Sequence, residues 1–139
     1  MLDINYEDVD DLSLNDIDLT NWISKVCVDE NYNLGDISLI FCSDEYLLDM
    51  NRTHLDHDYY TDIITFDYTD NQIVSGDLFI SIDRVRDNAT DFNVSFEHEL
   101  HRVIIHGVLH LCGYKDKSDD EEKLMRTKEN NALSLISFT

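Results

Sequence analysis

The sequence predicts an α/β (α+β) fold: a small four-stranded sheet packed with about five helices, with a metal site at the end of a buried helix. Three observations lead there. Strand-like and helix-like stretches follow one another in the order β-α-β-α-β-β-α-α-α. Almost everything after residue 82 carries helical rather than alternating periodicity. Proline is absent and glycine occurs only four times, so no stretch reads as a linker, and residues 1–139 are expected to form a single domain.

Residues 2–7 predict a first short strand. A polar loop from Asp10 leads into a helix over about 19–31, where Leu19, Trp22, Ile23, Val26 and Cys27 recur at helical spacing. Ile37 to Cys42 reads as the second strand. Ser43 then suits an N-cap, and Leu47, Leu48 and Met50 carry a helix to about His54. Asp62 to Tyr68 is rich in β-branched and aromatic residues. Asp70-Asn71 supplies a turn, and Ile73 to Ile82 gives the fourth strand. Gly76 lies inside that strand, where glycine marks a bulge or a close approach of another chain segment. Asp83 to Asp91 reads as helix. Ser95 caps a helix of about 18 residues through Cys112, and an amphipathic helix runs from Asp119 to about Ile136.

Composition narrows the function classes. Hydrophobic residues make up 42% of the chain and charged residues 29%, which fits a globular core rather than disorder. No apolar run approaches the roughly 20 residues needed to span a bilayer, so no membrane association is expected. The opening Met1-Leu2-Asp3-Ile4-Asn5 has no basic or apolar region of a signal peptide. Three cysteines, Cys27, Cys42 and Cys112, form no metal-knuckle spacing and predict reduced thiols in a cytoplasmic protein. The net charge is -20 and is unevenly spread. Residues 1–83 hold 20 acidic and two basic residues, whereas residues 84–139 hold 10 and eight. The acidic half argues against broad binding of nucleic acid through that surface, and DNA is not an expected partner. It reads as a solvated surface, with contact to a basic protein as the alternative.

The chemistry concentrates in H-G-V-L-H-L-C-G-Y-K-D, residues 106–116. His106 and His110 stand four apart, so they project from one helix face about a turn apart, where two imidazoles can share one ion. Gly113 can end the helix in the left-handed conformation and let the chain return Asp116 to the histidines. The frame matches long zinc-hydrolase motifs with aspartate as third ligand, leaving a fourth position for water. The expected ligands of a Zn²⁺ ion are therefore His106, His110 and Asp116. The helix is apolar on more than one stripe, so it is expected to be buried, and buried imidazoles need partners for both nitrogens. Glu99, seven residues before His106, shares that face and is a candidate acceptor behind a ring.

Other residues nearby are weighed less. Cys112 sits about 200° round the helix from His110 and should point away, as a small buried hydrophobe. His98 and His101 read as surface residues, and His54 and His57 flank a loop within reach of the site. Zinc proteases of the H-E-x-x-H type carry their general base at the position of Gly107, which has no side chain. Gly107 either leaves room beside the metal or serves helix packing.

The run H106-G-V-L-H110-L-C-G113-Y114 resembles the signature of the YbeY family of metal-dependent endoribonucleases. The similarity extends to Leu48-Asp49-Met50-Asn51, to Thr61-Asp62-Ile63-Ile64-Thr65-Phe66 and to Gly76-Asp77-Leu78-Phe79-Ile80-Ser81, in the family's order over about residues 36–126. The resemblance implies a mixed sheet, one zinc ion and single-strand-specific hydrolysis of RNA. It also implies a role in ribosomal RNA maturation, including the small-subunit 3′ end, and in ribosome quality control. Partners would be the ribosome and its assembly factors, in the cytoplasm. The sequence departs from the family pattern twice. Lys115-Asp116 stands where the family has aspartate and histidine, and Leu55 stands where it has an arginine. A carboxylate ligand is harder than imidazole and also suits manganese. A cation near the phosphodiester would stabilise developing charge, and Arg52 and Lys115 are the candidates to supply it. No catalytic residue is identifiable. Two alternatives remain open: a zinc metalloprotease-like hydrolase, and a non-catalytic, metal-stabilised factor that binds the ribosome.

Overall fold

The computed structural model describes residues 1–136. Four strands and five helices alternate in the expected order: β1 (Leu2–Tyr6), α1 (Asp16–Asp29), β2 (Asn33–Cys42), α2 (Asp44–Leu55), β3 (Ile63–Asp67), β4 (Ile73–Ser81), α3 (Ile82–Asp91), α4 (Phe96–Leu111) and α5 (Asp119–Leu133). The sheet is mixed, with strand order β1-β2-β4-β3. β1 and β4 run parallel to β2 on either side, and β3 pairs antiparallel with β4 at the edge. The fold is thus an α+β sandwich.

Element limits differ from the sequence reading where a cap or a distant partner decides them. α1 starts at Asp16, not Leu19, because Asn15 accepts a hydrogen bond from the Asp18 amide at 3.0 Å. Asp16 and Asp18 then sit in the first turn, where the helix dipole favours negative charge. β2 begins four residues early, since Asn33 and Leu34 pair with Ile73 and Val74 across an irregularity before Ile37. α5 ends at Leu133, where Ser134 caps it, rather than at Ile136.

The larger core lies between the sheet and α1, α4 and α5. Ile37, Leu39 and Phe41 of β2 alternate toward it, as do Val74, Leu78 and Ile80 of β4. The opposite sheet face carries a smaller cluster, Cys42, Leu47 and Ile64 with Phe66 and Phe79, under α2. α4 is buried nearly all round, as its apolar stripes predict, and it crosses the larger core. Among the described residues no helix is long and apolar enough to cross a membrane.

Two glycines set how closely α4 lies on the sheet. A Cβ at Gly107 would come within 2.7 Å of Ile63 and 3.0 Å of Leu78. The space at Gly107 therefore belongs to helix–sheet packing and is not open beside the histidines. A Cβ at Gly76 would stand 2.5 Å from the Phe66 carbonyl oxygen and 2.9 Å from Leu111. The close approach expected of a glycine in this strand is thus made by β3 and the end of α4. Since backbone cannot yield as a side-chain tip does, Gly76→Ala should destabilise the protein by about 1–3 kcal/mol. Chemical denaturation measures this, and an unchanged midpoint would contradict it.

Candidate metal centre

α4 starts at Ser95, whose hydroxyl accepts from the His98 amide at 3.0 Å. It ends with Cys112 as C-cap and Gly113 at φ +97°, while the Tyr114 amide reaches back to the Leu109 carbonyl at 3.1 Å. This reversal returns the chain over the last turn of α4. Asp116 Oδ2 comes to rest 3.2 Å from His106 Nε2 and 3.4 Å from His110 Nε2. The two Nε2 atoms are 3.0 Å apart, and the rings stand nearly perpendicular at 84°. Among the described residues these three side chains form the one group of this kind whose ligand atoms converge.

The far side of each ring explains why the Nε2 atoms face inward. His110 Nδ1 is 2.8 Å from the Tyr114 carbonyl oxygen, which only accepts, so Nδ1 carries the proton and Nε2 is left with a lone pair. Tyr114 is itself held in place, since its hydroxyl donates to Glu30, which also pairs with Lys128 at 3.1 Å. His106 Nδ1 is 2.7 Å from Glu129 Oε2. Burial raises the Glu129 carboxyl, but His106 and Arg102 outweigh it and hold it below the usual carboxylate range. Glu129 is therefore a pure acceptor, and His106 donates its Nδ1–H to it. Two imidazole lone pairs and a carboxylate oxygen thus meet with no donor between them, an arrangement that repels itself unless a cation occupies the centre. Ligand atoms tetrahedrally placed at zinc distances stand about 3.3 Å apart, close to the 3.0–3.4 Å found here. Burial pulls the His106 imidazole down, yet Glu129, Asp116 and Asp62 outweigh it and raise it above its ordinary value.

The candidate acceptor Glu99 does not stand behind His106. Seven residues is almost two full turns, so the face is right, but the rise of about 10 Å along the axis is too long for a carboxylate to cross. α5 supplies the acceptor instead, by laying Glu129 beside α4. Arg102 Nη1 pairs with Glu129 at 2.8 Å and Arg126 approaches it at 3.7 Å, which holds the buried charge. One signal for Glu129 was present in the sequence. It interrupts the buried stripe Met125, Ala132 and Leu133 of α5, where a charged residue needs a partner.

The other candidates separate. Cys112 is buried against Cys27, turned from the site as its helical position predicts. His98 and His101 are half-buried rather than surface residues, and the His101 ring packs on Trp22 at 5.4 Å. His57 lies near the site, while its Nδ1 meets the Tyr59 hydroxyl at 3.0 Å. Arg52 is tied to Asp58.

Two cavities meet at the three side chains. One of about 450 Å³ is bordered by Leu55, His57, Tyr59 and Asp62. The other, of about 920 Å³, is bordered by Asp62, Glu99, Arg102 and Arg126. His106 and Asp116 belong to both. Asp62, at the start of β3, also borders both, and burial raises its carboxyl despite the opposing influence of His106. Neither Arg52 nor Lys115 lines either cavity. The cations that do are Arg102, Lys123 and Arg126.

With Glu129 fixing the His106 ring, Glu129→Gln should weaken zinc affinity about 10–100-fold without abolishing it. Competition with a chromogenic chelator reads this, and wild-type affinity would show that the bond has no part in metal binding.

Comparison with known proteins matches residues 4–137 to the family model described as endoribonuclease YbeY. Endoribonuclease YbeY of Flavobacterium johnsoniae is 53% identical over 136 residues, covering 98% of this chain and 97% of that protein. The protein of that name from Phocaeicola vulgatus is 55% identical over 119 residues, 86% of each chain. The solution structure of TM1509 from Thermotoga maritima is similar with a TM-score of 0.70 and 28% identity, covering 96% of this chain and 87% of that one.

Proposed function

The chain belongs to the endoribonuclease YbeY family and is a hydrolase acting on RNA, and we propose that it cleaves single-stranded ribosomal RNA at the His106, His110 and Asp116 centre. The observation that supports this placement is the convergence of two imidazole lone pairs and a carboxylate at the junction of two cavities. The ion we assign is Zn²⁺, on a nitrogen-rich donor set that suits it, with manganese favoured more by Asp116 than by a third histidine. When bound, the ion supplies Lewis acidity, lowering the pKa of a water and polarising a phosphoryl oxygen.

The chain's own residues do the rest. His106, His110 and Asp116 are each partly exposed, which leaves the centre open to a phosphodiester. Glu129 and the Tyr114 carbonyl keep both Nδ1 protons outward, so neither Nε2 can turn away. Asp62 is assigned as the group that takes the proton of the attacking water, because its carboxylate borders both cavities and burial makes it a stronger base. Arg102, Lys123 and Arg126 bring positive charge to the larger cavity, whereas Leu55 brings none to the smaller one. The substrate is assigned to small-subunit ribosomal RNA, including its 3′ end, in the cytoplasm and in company with the ribosome or its assembly factors. Buried, unpaired Cys27, Cys42 and Cys112 suit a reducing compartment.

A protease reading has no support at Gly107, which faces Ile63 and Leu78 where the protease family carries its base.

Two variants and the wild type test the assignment together, by metal analysis and by cleavage of single-stranded RNA. His110→Ala should lose both the metal and the activity. Asp62→Asn should keep the metal and cleave about 10²–10⁴-fold more slowly. Wild-type metal content in His110→Ala would contradict the centre. Undiminished cleavage by Asp62→Asn would contradict the proton acceptor. RNA binding without cleavage by the metal-loaded wild type would instead favour a non-catalytic ribosome-binding role.

A further inference from the structure

Glu99 is a buried charge that the metal centre does not use. It is 3% exposed and, among the described residues, its carboxylate makes no hydrogen bond and no ion pair. The residue lines the cavity of about 920 Å³, and burial raises its carboxyl. The charged groups whose fields reach it are Arg102, Asp62, Arg126 and Glu129, and all of them border the cavity of about 920 Å³. Arg102 cannot serve as its partner, because its guanidinium is engaged by Glu129 and Asn130, each at 2.8 Å.

The cavity is the right kind of space for a nucleobase. Its volume lies in the range of small-molecule sites. Val103 and Met125 give it apolar walls, and the exposed ring of Phe92 stands at its rim. His106 and Asp116 border it too, so a base held there belongs to a nucleotide beside the reacting phosphodiester. Single-stranded RNA is read in this way, by unstacked bases laid on aromatic rings and bonded along their Watson–Crick edges.

We propose that this cavity receives a guanine of the RNA substrate and that Glu99 accepts hydrogen bonds from its N1–H and N2–H groups. The choice of base follows from donor patterns. On the Watson–Crick edge only guanine sets two donors side by side. Adenine and cytosine set a donor beside an acceptor, and uracil has one donor between two acceptors. Only guanine therefore satisfies both carboxylate oxygens at once. A divalent cation is a poorer occupant, since Glu99 does not converge with two further ligands among the described residues. The inference rests on the reading that the chain cleaves single-stranded RNA, and it adds a base preference to that reading.

The test uses labelled oligouridylates carrying a single guanosine, inosine or adenosine. Their binding to wild type and to Glu99→Gln is followed by fluorescence anisotropy with EDTA present, and their cleavage is followed separately with zinc. Inosine lacks only the N2 amino group, so it isolates one of the two bonds without touching the protein. Wild type should bind the guanosine oligomer about tenfold or more tightly than the other two. Glu99→Gln keeps one acceptor oxygen but sets an amide donor against guanine's other donor, so the guanosine preference should fall by about tenfold. Equal binding of the three by wild type, no binding of any, or a guanosine preference kept by Glu99→Gln would overturn the guanine pocket. Cleavage of all three at one rate, with binding equal, overturns the pocket and leaves the nuclease reading intact. A guanosine preference in binding with no cleavage of any oligomer does the reverse.

Discussion

The geometry of the centre depends on what lies behind the histidines more than on the histidines themselves. A neutral imidazole offers one donor and one acceptor, and the partner of the donor decides where the acceptor points. Here one partner is a backbone carbonyl at the helix C-terminus and the other is a buried carboxylate from the last helix. Together they turn both lone pairs onto Asp116. Without them, two rings one turn apart could rotate to any local partner, and the four-residue spacing would say little about chemistry.

Much of the remaining architecture maintains those two bonds. Gly107 and Gly76 let α4 lie close on the sheet, and Gly113 lets the chain fold back past the helix end. α5 is anchored by the capping box of Ser118 and Glu121 and by the Trp22 indole, which donates to the Ala132 carbonyl at 2.8 Å. That anchoring holds Glu129 against His106. Arg102 and Arg126 then offset the charge that Glu129 brings into the interior. The Asp116 carboxylate adds negative charge beside the two imidazoles, and Arg102, Lys123 and Arg126 border the larger cavity that it lines.

Local patterns in the sequence made most of this fold legible. The order of elements, the burial of α4 and the return of Asp116 all follow from periodicity, caps and a glycine at the helix end. Features made by distant partners did not show. β2 extends to Asn33 only because β4 is there to pair with it. Glu129 reaches His106 across 23 residues, so spacing along one helix pointed to Glu99 instead. Asp62 and Arg102 meet the site through the packing of β3 and α5 on α4, and no short motif encodes that packing. A charged residue inside an apolar stripe is the clue that recurs. It holds for Glu129 in α5 and for Glu99 in α4, and in both helices it marks a buried carboxylate that borders the larger cavity.

The most direct test of the central claim is anomalous diffraction at the zinc edge from crystals grown with one equivalent of zinc. The account predicts a single strong peak at about 2.0–2.2 Å from His106 Nε2, His110 Nε2 and an Asp116 carboxylate oxygen, with both Nδ1 atoms still bonded to Tyr114 and Glu129. A peak elsewhere, or rings turned to present Nδ1 to the ion, would contradict it.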